Sequence, residues 1–292
     1  MNVLVTGGAG FIGTNLIKRL LDDGHSVISF DNYTTGKKEN EQDSCEYIEC
    51  DITDNYDVQK HLLNKNIDII YHLAALARIQ PSFKNPTNTF KTNVIGTMNI
   101  MEWAKNNNCP VIYAGSSSKH GGIFKNPYTF TKHQGEEVVE MYNRVYGVPA
   151  AICRFYNVYG PYQLTEGEYC TVIGIFENQY KNKEELTITG DGEQRRDFTH
   201  VFDIVDGFVK CGEQIDEVSG QTFELGRGEN YSINVIAQSF DVGYTYIPER
   251  PGEVKETLCT DMKARRLLSW CPTIDILDYI EGVRVSHELS NN

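Results

Sequence analysis

Short apolar runs and stretches of helical period alternate along the first half of the chain. Val3-Leu4-Val5 is the first run, and residues 14–21 behind it read as a helix. Residues 26–30, 45–50, 67–71 and 111–114 read as further strands, and residues 88–105 and 127–146 as helices. The second of these helices opens on Pro127, at a position where the missing N–H is no loss. Such alternation predicts an α/β fold: a doubly wound parallel sheet of Rossmann type with helices on both faces. Each strand then delivers its chemistry at its carboxyl end, the edge where an open sheet of this kind binds ligands. Past Phe155 the alternation weakens over the remaining 137 residues. A smaller mixed α/β domain is expected over 156–292 beside a first domain over 1–155. A return of residues 197–211 to the first domain is left open.

Gly7, Gly10 and Gly13 follow the first strand at the spacing G-x-x-G-x-x-G and lead into the first helix through Phe11 and Ile12. A turn without side chains lets backbone N–H groups and the positive end of a helix dipole approach a pyrophosphate. The second strand ends in Asp31, 18 residues beyond Gly13, where a carboxylate can accept hydrogen bonds from a ribose diol and repels a 2′-phosphate. NAD is therefore expected, with NADP the alternative that Lys37 and Lys38 leave open.

Length and charge restrict the function classes. The 292 residues, 40% of them hydrophobic, can bury a large core, and the net charge of −13 disfavours a general nucleic-acid surface. An anionic substrate must then be held by local arginines. No apolar run approaches the ~18 residues of a membrane span, and a cytoplasmic protein is expected. The eight cysteines show no C-x-x-C and no histidine at metal-ligand spacing, so idle thiols and no metal are expected.

Tyr128 and Lys132 are i and i+4 on one predicted helix, so they share a face, and an ammonium beside a phenol stabilises the phenolate. A free tyrosine titrates near pH 10, so work as a base near neutrality requires lowering by ~3 units, worth ~4 kcal/mol. With a dinucleotide turn and the serine cluster Ser116-Ser117-Ser118 after a strand, the pair points to redox chemistry on a hydroxyl.

In this order and spacing the motifs resemble those of the extended short-chain dehydrogenase/reductases, in the nucleotide-sugar epimerase/dehydratase family. The likeness runs nearly end to end. It includes the glycine turn, Asp31-Asn32 with Thr34 and Gly36, Asp51-Ile52, His72-Leu-Ala-Ala75 and Asn93-Val-Ile-Gly-Thr97. Further on come the serines, Tyr128/Lys132, Arg154-Phe-Tyr-Asn-Val-Tyr-Gly-Pro161, Gly190-Asp-Gly192, Arg196-Asp-Phe-Thr-His-Val201 and Arg250-Pro-Gly-Glu253. The resemblance implies an NAD-binding domain followed by a nucleotide-sugar-binding one. Asp31 and Asn32 would hold the adenosine ribose, Asp51 and Ile52 the adenine, and Leu73, Ala74, Ala75 and Asn93 the middle of the cofactor. Lys132 would also bind the nicotinamide ribose, and Tyr156 would border the nicotinamide. Ser116 would hold the reacting sugar oxygen, with Ser117 and Ser118 beside it. Asn157, Arg196 and Arg250 would grip the sugar diphosphate, with Glu253, Thr187 and Thr189 nearby in the substrate half.

The reactions of this family share hydride transfer from a sugar carbon to NAD while the tyrosine takes the hydroxyl proton. Its 4,6-dehydratases and decarboxylases typically place a carboxylate after the active hydroxyl residue. Here Ser117 and Ser118 follow, which implies a 4-epimerase, with dehydratase or decarboxylase as the alternative. A catalytically silent NAD-binding sensor is the alternative from another class; such proteins typically lack the tyrosine or the lysine. Three departures from the family pattern stand out. Only 11 residues separate Ser116 from Tyr128, about half the usual number, with Lys119-His120 where Val-Tyr is usual. Thr189 replaces a frequent aromatic partner of the base, which leaves uridine a family expectation. Residues 232–247 look too short for the usual helix and strand. Related enzymes dimerise through the two helices noted above, and a homodimer is expected here through Ile95, Met98, Ile100, Met101, Val138, Val139, Met141 and Tyr142. Thr257, seven residues past Arg250, falls where related 4-epimerases border the sugar's 2-substituent. A residue this small implies that N-acetylhexosamine nucleotides are admitted.

Overall fold

The computed structural model describes residues 1–290. Six strands follow one another in the first half: β1 (Asn2–Thr6), β2 (Ser26–Asp31), β3 (Cys45–Glu49), β4 (Ile69–His72), β5 (Val111–Ser116) and β6 (Ala150–Phe155). Between them lie α1 (Phe11–Asp22), α2 (Asn55–Leu62), α3 (Ile79–Lys84), α4 (Pro86–Phe90), α5 (Thr97–Asn107) and α6 (Pro127–Tyr146). The helix expected over 88–105 is interrupted by a π-helical segment, Lys91–Gly96, between α4 and α5. Gly96 lets this segment lie close to Ile52, whose Cδ1 would be 2.5 Å from a Cβ there.

The second half adds the short β7 (Val158–Tyr159), α7 (Val172–Lys181), β8 (Leu186–Thr189), β9 (Arg195–Asp197), β10 (Thr199–His200), α8 (Val201–Glu213), α9 (Ile215–Val218) and β11 (Thr222–Leu225). It closes with β12 (Asn230–Ser232), α10 (Ile233–Ser239), β13 (Tyr244–Ile247), α11 (Lys263–Leu267) and α12 (Ile276–Ser290). Residues 232–247 thus do hold a helix and a strand; seven and four residues suffice for them.

The main sheet has the order β11-β6-β5-β4-β1-β2-β3, and every neighbouring pair is parallel. Its inner strands read as unbroken apolar runs because both faces are covered. Val3 and Val5 join Leu16, Ile17, Phe208 and Phe223 on one side, and Leu4 joins Ile70, Ile100, Trp103 and Tyr142 on the other. A linear division at residue 155 does not describe this sheet. The chain crosses back through α8, whose apolar side packs with α1 residues on the sheet, and reaches β11 at the edge, well past Cys211. The third core, built on Tyr159, Phe176, Ile188, Phe240, Ile276 and Ile280, belongs to the smaller layer. Strand order reverses between β1 and β4, so the loops after these strands open the crevice at the centre of the carboxyl edge.

Candidate active site

The loop after β1 is shaped by what its glycines leave out. Gly7 has φ +74°, and a Cβ on Gly13 would lie 2.1 Å from the Gly7 carbonyl oxygen. Gly10 caps α1 without a side-chain hydrogen bond, and no acid stands in the first turn, so the helix N-terminus is kept for an external anion. Across the crevice, the buried Asp31 carboxylate accepts from the Ala9 N–H at 3.0 Å and the Tyr33 N–H at 2.8 Å. Burial raises its pKa and these two bonds oppose that. Two accepted bonds leave carboxylate lone pairs for a diol. A backbone anion cradle, an acid at the end of β2 and a crevice between them fit the pyrophosphate and ribose of NAD.

One cavity of about 880 Å³ runs from this turn to the second layer. Gly7, Gly10, Phe11, Ile12, Gly13, Asp31, Asn32, Thr34, Asp51, Ile52, Leu73, Ala74 and Ala75 line one end of it. Asn157, Thr187, Thr189, Arg196, Arg250, Glu253 and Thr257 line the same cavity, as do Ser116, Ser117, Ser118, Tyr128 and Lys132.

Three expected residues stand behind its wall instead. Asn93 is 1% exposed; its Oδ1 accepts from Leu76 N–H at 2.8 Å and its amide donates to Thr131 Oγ1 at 3.0 Å, so it pins the loop after β4 to α6. Gly36 makes room for Asp31, whose Oδ1 would be 2.7 Å from a Cβ at that position. Tyr156 lies one residue beyond β6 and is buried, with its ring stacked on His120 at 6.4 Å between centroids. Its neighbours Phe155, Asn157 and Val158 reach the cavity in its place.

At the centre, the Tyr128 hydroxyl donates to Ser116 Oγ at 3.1 Å. Ser116 Oγ in turn donates to Ser118 Oγ at 2.9 Å and accepts from the Ser118 N–H at 3.2 Å, which fixes the reactive hydroxyl at the end of β5. Lys132 does not pair with Tyr128 as their spacing suggests. Its ammonium donates to Tyr113 Oη at 2.9 Å and to the Ala114 carbonyl at 2.6 Å, because a buried cation needs oxygen ligands and the end of β5 supplies two. Burial lowers Lys132 to about 8, with Glu136 opposing. Burial raises Tyr128, whereas the Ser116 hydrogen bond and the charge of Arg78 pull it down. Arg78 was not anticipated from the motifs; a lone charge in the apolar stretch 73–79 was the available signal.

A buried ionic network backs the serine turn. Arg154 joins Glu136 at 2.9 Å and Glu224 at 2.8 Å, and Glu136 Oε1 accepts from the Ser116 N–H at 3.3 Å. Lys119 and His120, the pair unusual for the family pattern, contact the same two carboxylates at 3.5 and 3.0 Å. Thr257 Oγ1 accepts from the Asn157 amide at 2.8 Å and the Asp197 N–H at 3.1 Å, while Arg196 lies 3.6 Å from Glu253. Among the described residues no helix is long and apolar enough to cross a membrane.

The family model described as NAD dependent epimerase/dehydratase family matches residues 3–226. The UDP-glucose 4-epimerase of Mycolicibacterium smegmatis is 30% identical over 100% of this chain and 99% of its own length. Among solved structures, the UDP-glucose 4-epimerase of Thermotoga maritima with UDP-glucose has a TM-score of 0.91 at 29% identity, covering 100% of this chain and 99% of that one. The UDP-glucuronic acid 4-epimerase of Bacillus cereus, in complex with UDP-glucuronic acid and NAD, has a TM-score of 0.89 at 29% identity, covering 99% and 100%.

Proposed function

This chain belongs to the NAD dependent epimerase/dehydratase family, with NAD as its cofactor, and from that premise we propose that it is a nucleotide-sugar 4-epimerase. The observation that carries the reading is the Tyr128–Ser116 hydrogen bond of 3.1 Å, in a cavity where positions 117 and 118 supply hydroxyls and no carboxylate. Bound NAD supplies reversible hydride acceptance at carbon 4 of the hexose. Tyr128 takes the proton of the 4-hydroxyl and later gives one back, while Ser116 holds the sugar oxygen. Lys132, buried and fastened to β5, contributes a fixed positive charge beneath the tyrosine. Arg196 and Arg250 bind the diphosphate, and the glycine turn with Asp31 anchors the cofactor. A 4,6-dehydratase or decarboxylase needs a carboxylate beside Ser116 to run its elimination or later steps; positions 117 and 118 offer none, and Glu136, which meets the Ser116 N–H, is tied to Arg154 and does not line the cavity.

The UDP-sugar ligands named for the similar structures support uridine nucleotides as the first to test. The experiment is incubation of the NAD-loaded protein with UDP-, GDP- and dTDP-hexoses, with products read by NMR and mass spectrometry. Inversion at carbon 4 without loss of mass supports the reading. A product lighter by water or carbon dioxide overturns it in favour of elimination or decarboxylation. A protein that binds a nucleotide sugar and never reduces its NAD is a sensor.

A further inference from the structure

Residues 73–79 read Leu-Ala-Ala-Leu-Ala-Arg-Ile, so Arg78 is a single charge in an apolar loop. The loop follows β4 and walls the cavity together with Tyr128 and Ser116. Arg78 is half-buried there. Its Nε donates to the Tyr169 carbonyl and its Nη1 to the Ala77 carbonyl, both at 2.7 Å. Carbonyls satisfy N–H groups and leave the charge unbalanced. The ionisable groups that act on Arg78 are Tyr128, Cys170 and Tyr169, none of them a carboxylate, while burial works against its charge.

The other cations lining the cavity have either a carboxylate or water: Lys84 pairs with Glu168, Arg196 lies 3.6 Å from Glu253, Glu136 acts on the charge of Lys132, and Lys91, Lys125 and Arg250 are exposed. A guanidinium removed from water without a counter-ion is costly, and it suits a ligand that brings the anion. Arg78 also lines the same cavity as Tyr128 and Ser116, and its charge opposes the rise that burial imposes on Tyr128. The arginines Arg196 and Arg250 belong instead to the smaller layer.

We propose that Arg78 binds a carboxylate carried on the hexose ring next to carbon 4, so that the preferred substrates are nucleotide-linked uronic acids. The proposal rests on the reading above that carbon 4 of a nucleotide sugar sits at Tyr128. The planar fork of an arginine matches a carboxylate with two parallel hydrogen bonds, whereas a hydroxymethyl group on the same carbon leaves the guanidinium unneutralised.

The test compares UDP-glucuronic and UDP-galacturonic acid with UDP-glucose and UDP-galactose on the NAD-loaded protein. The wild type should favour the uronic acids in kcat/KM by at least about tenfold. In Arg78→Ala the uronic-to-neutral ratio should fall by roughly 10- to 150-fold, the range of a charge-assisted hydrogen bond. Arg78→Gln, which can still donate to the Tyr169 carbonyl, keeps the test valid if the alanine variant does not fold, and it should show the same fall. The Kd measured by calorimetry should rise in the variants for UDP-glucuronic acid far more than for UDP-glucose. A wild type without uronic preference, or a ratio that stays put in a folded variant, overturns the carboxylate site and leaves the epimerase reading standing. Arg78-dependent binding of UDP-glucuronic acid without epimerisation supports the site and overturns the epimerase reading. Failure to bind any of the four overturns both.

Discussion

Replacing Arg154 by methionine should weaken the folded protein far more than any surface ion pair could. Glu136 and Glu224 are 3% and 7% exposed, and Arg154 lies between them. Three donations go to Glu136, from Nε at 3.1 Å to each oxygen and from Nη2 at 2.9 Å, and one goes from Nη1 to Glu224 at 2.8 Å. Methionine fills the space and leaves two buried carboxylates, with Lys119 at 3.5 Å from one and His120 at 3.0 Å from the other. Breaking a buried pair from one side costs about 3–5 kcal/mol. The comparison is Arg144→Ala, which removes an exposed i,i+4 pair with Glu140 and should cost under about 1 kcal/mol. Urea unfolding read by fluorescence serves well, because Trp103 and Trp270 are buried on opposite faces of the sheet. The midpoint should drop at unchanged slope. Burial raises Glu224, but His120 and Arg154 outweigh it and hold the group below its ordinary value. Its contribution is therefore present above the ordinary carboxylate pKa and lost as pH falls below it, so the gap between wild type and variant should narrow in acid. A loss below about 1 kcal/mol at neutral pH would mean that Lys119 and His120 carry the charge balance and that Arg154 is dispensable.

Tyr128→Phe should keep NAD bound and cut turnover by at least a factor of about 100, the lower end for a general base; a larger residual rate would remove Tyr128 from that role. Ser116→Ala should cost less, and a greater loss in Ser118→Ala would reverse their assignments. His72 is buried against Thr6 and Thr97 and is pushed down to about 3 by burial and then by Lys132. The unfolded chain, titrating near ~6.5, takes its proton first, so about 2 kcal/mol of stability present at pH ~8 is lost by pH ~5. His72→Gln should lack that share of the acid loss, and equal losses would exclude the mechanism. Of the expected pairing face, Ile100, Met101, Val139 and Tyr142 are core residues, but Ile95, Met98 and Met141 are exposed at 37–38%, with Val145 and Tyr146 alongside. Sedimentation at micromolar concentration should therefore show a dimer held through this apolar patch, and a monomer would refute it. Thr257→Tyr should lower kcat/KM for UDP-N-acetylglucosamine more than for UDP-glucose. A wild type that rejects the N-acetyl sugar, or a variant that keeps it, would end that reading.

Local patterns carried most of the first layer into view from sequence. The helix expected over 127–146 is α6 itself, and the strand ends carrying Thr6, Asp31, His72 and Ser116 fall where short apolar runs stop. Such runs are legible because a sheet covered on both faces demands them. The edge strand β11 was missed because its partner is β6, about 70 residues earlier, and its four residues carry no period of their own. Tyr156 and Asn93 were placed by motif. The structure turns Tyr156 under His120 and uses both ends of the Asn93 amide to hold Leu76 and Thr131, partners that only the folded chain brings within reach.

Charge placement was the least legible part, and the reason is physical. The i,i+4 rule puts Tyr128 and Lys132 on one face, but it says nothing of what a third element offers to either. Strand β5 passes beneath α6 and presents Tyr113 and the Ala114 carbonyl, so the ammonium ligates there instead of at the phenol. Arg78, from a loop 50 residues upstream of Tyr128, supplies the positive charge that the tyrosine feels. The Ser116 hydrogen bond and the Arg78 charge oppose the rise that burial imposes on Tyr128, and burial is also what makes that charge effective, since charges interact more strongly where water is excluded. A sugar carboxylate bound to Arg78 would cancel part of that help. The Ser116 hydrogen bond and the cofactor's own charge would then have to keep the phenol competent, which makes the pH dependence of turnover differ between acidic and neutral sugars in the same active site.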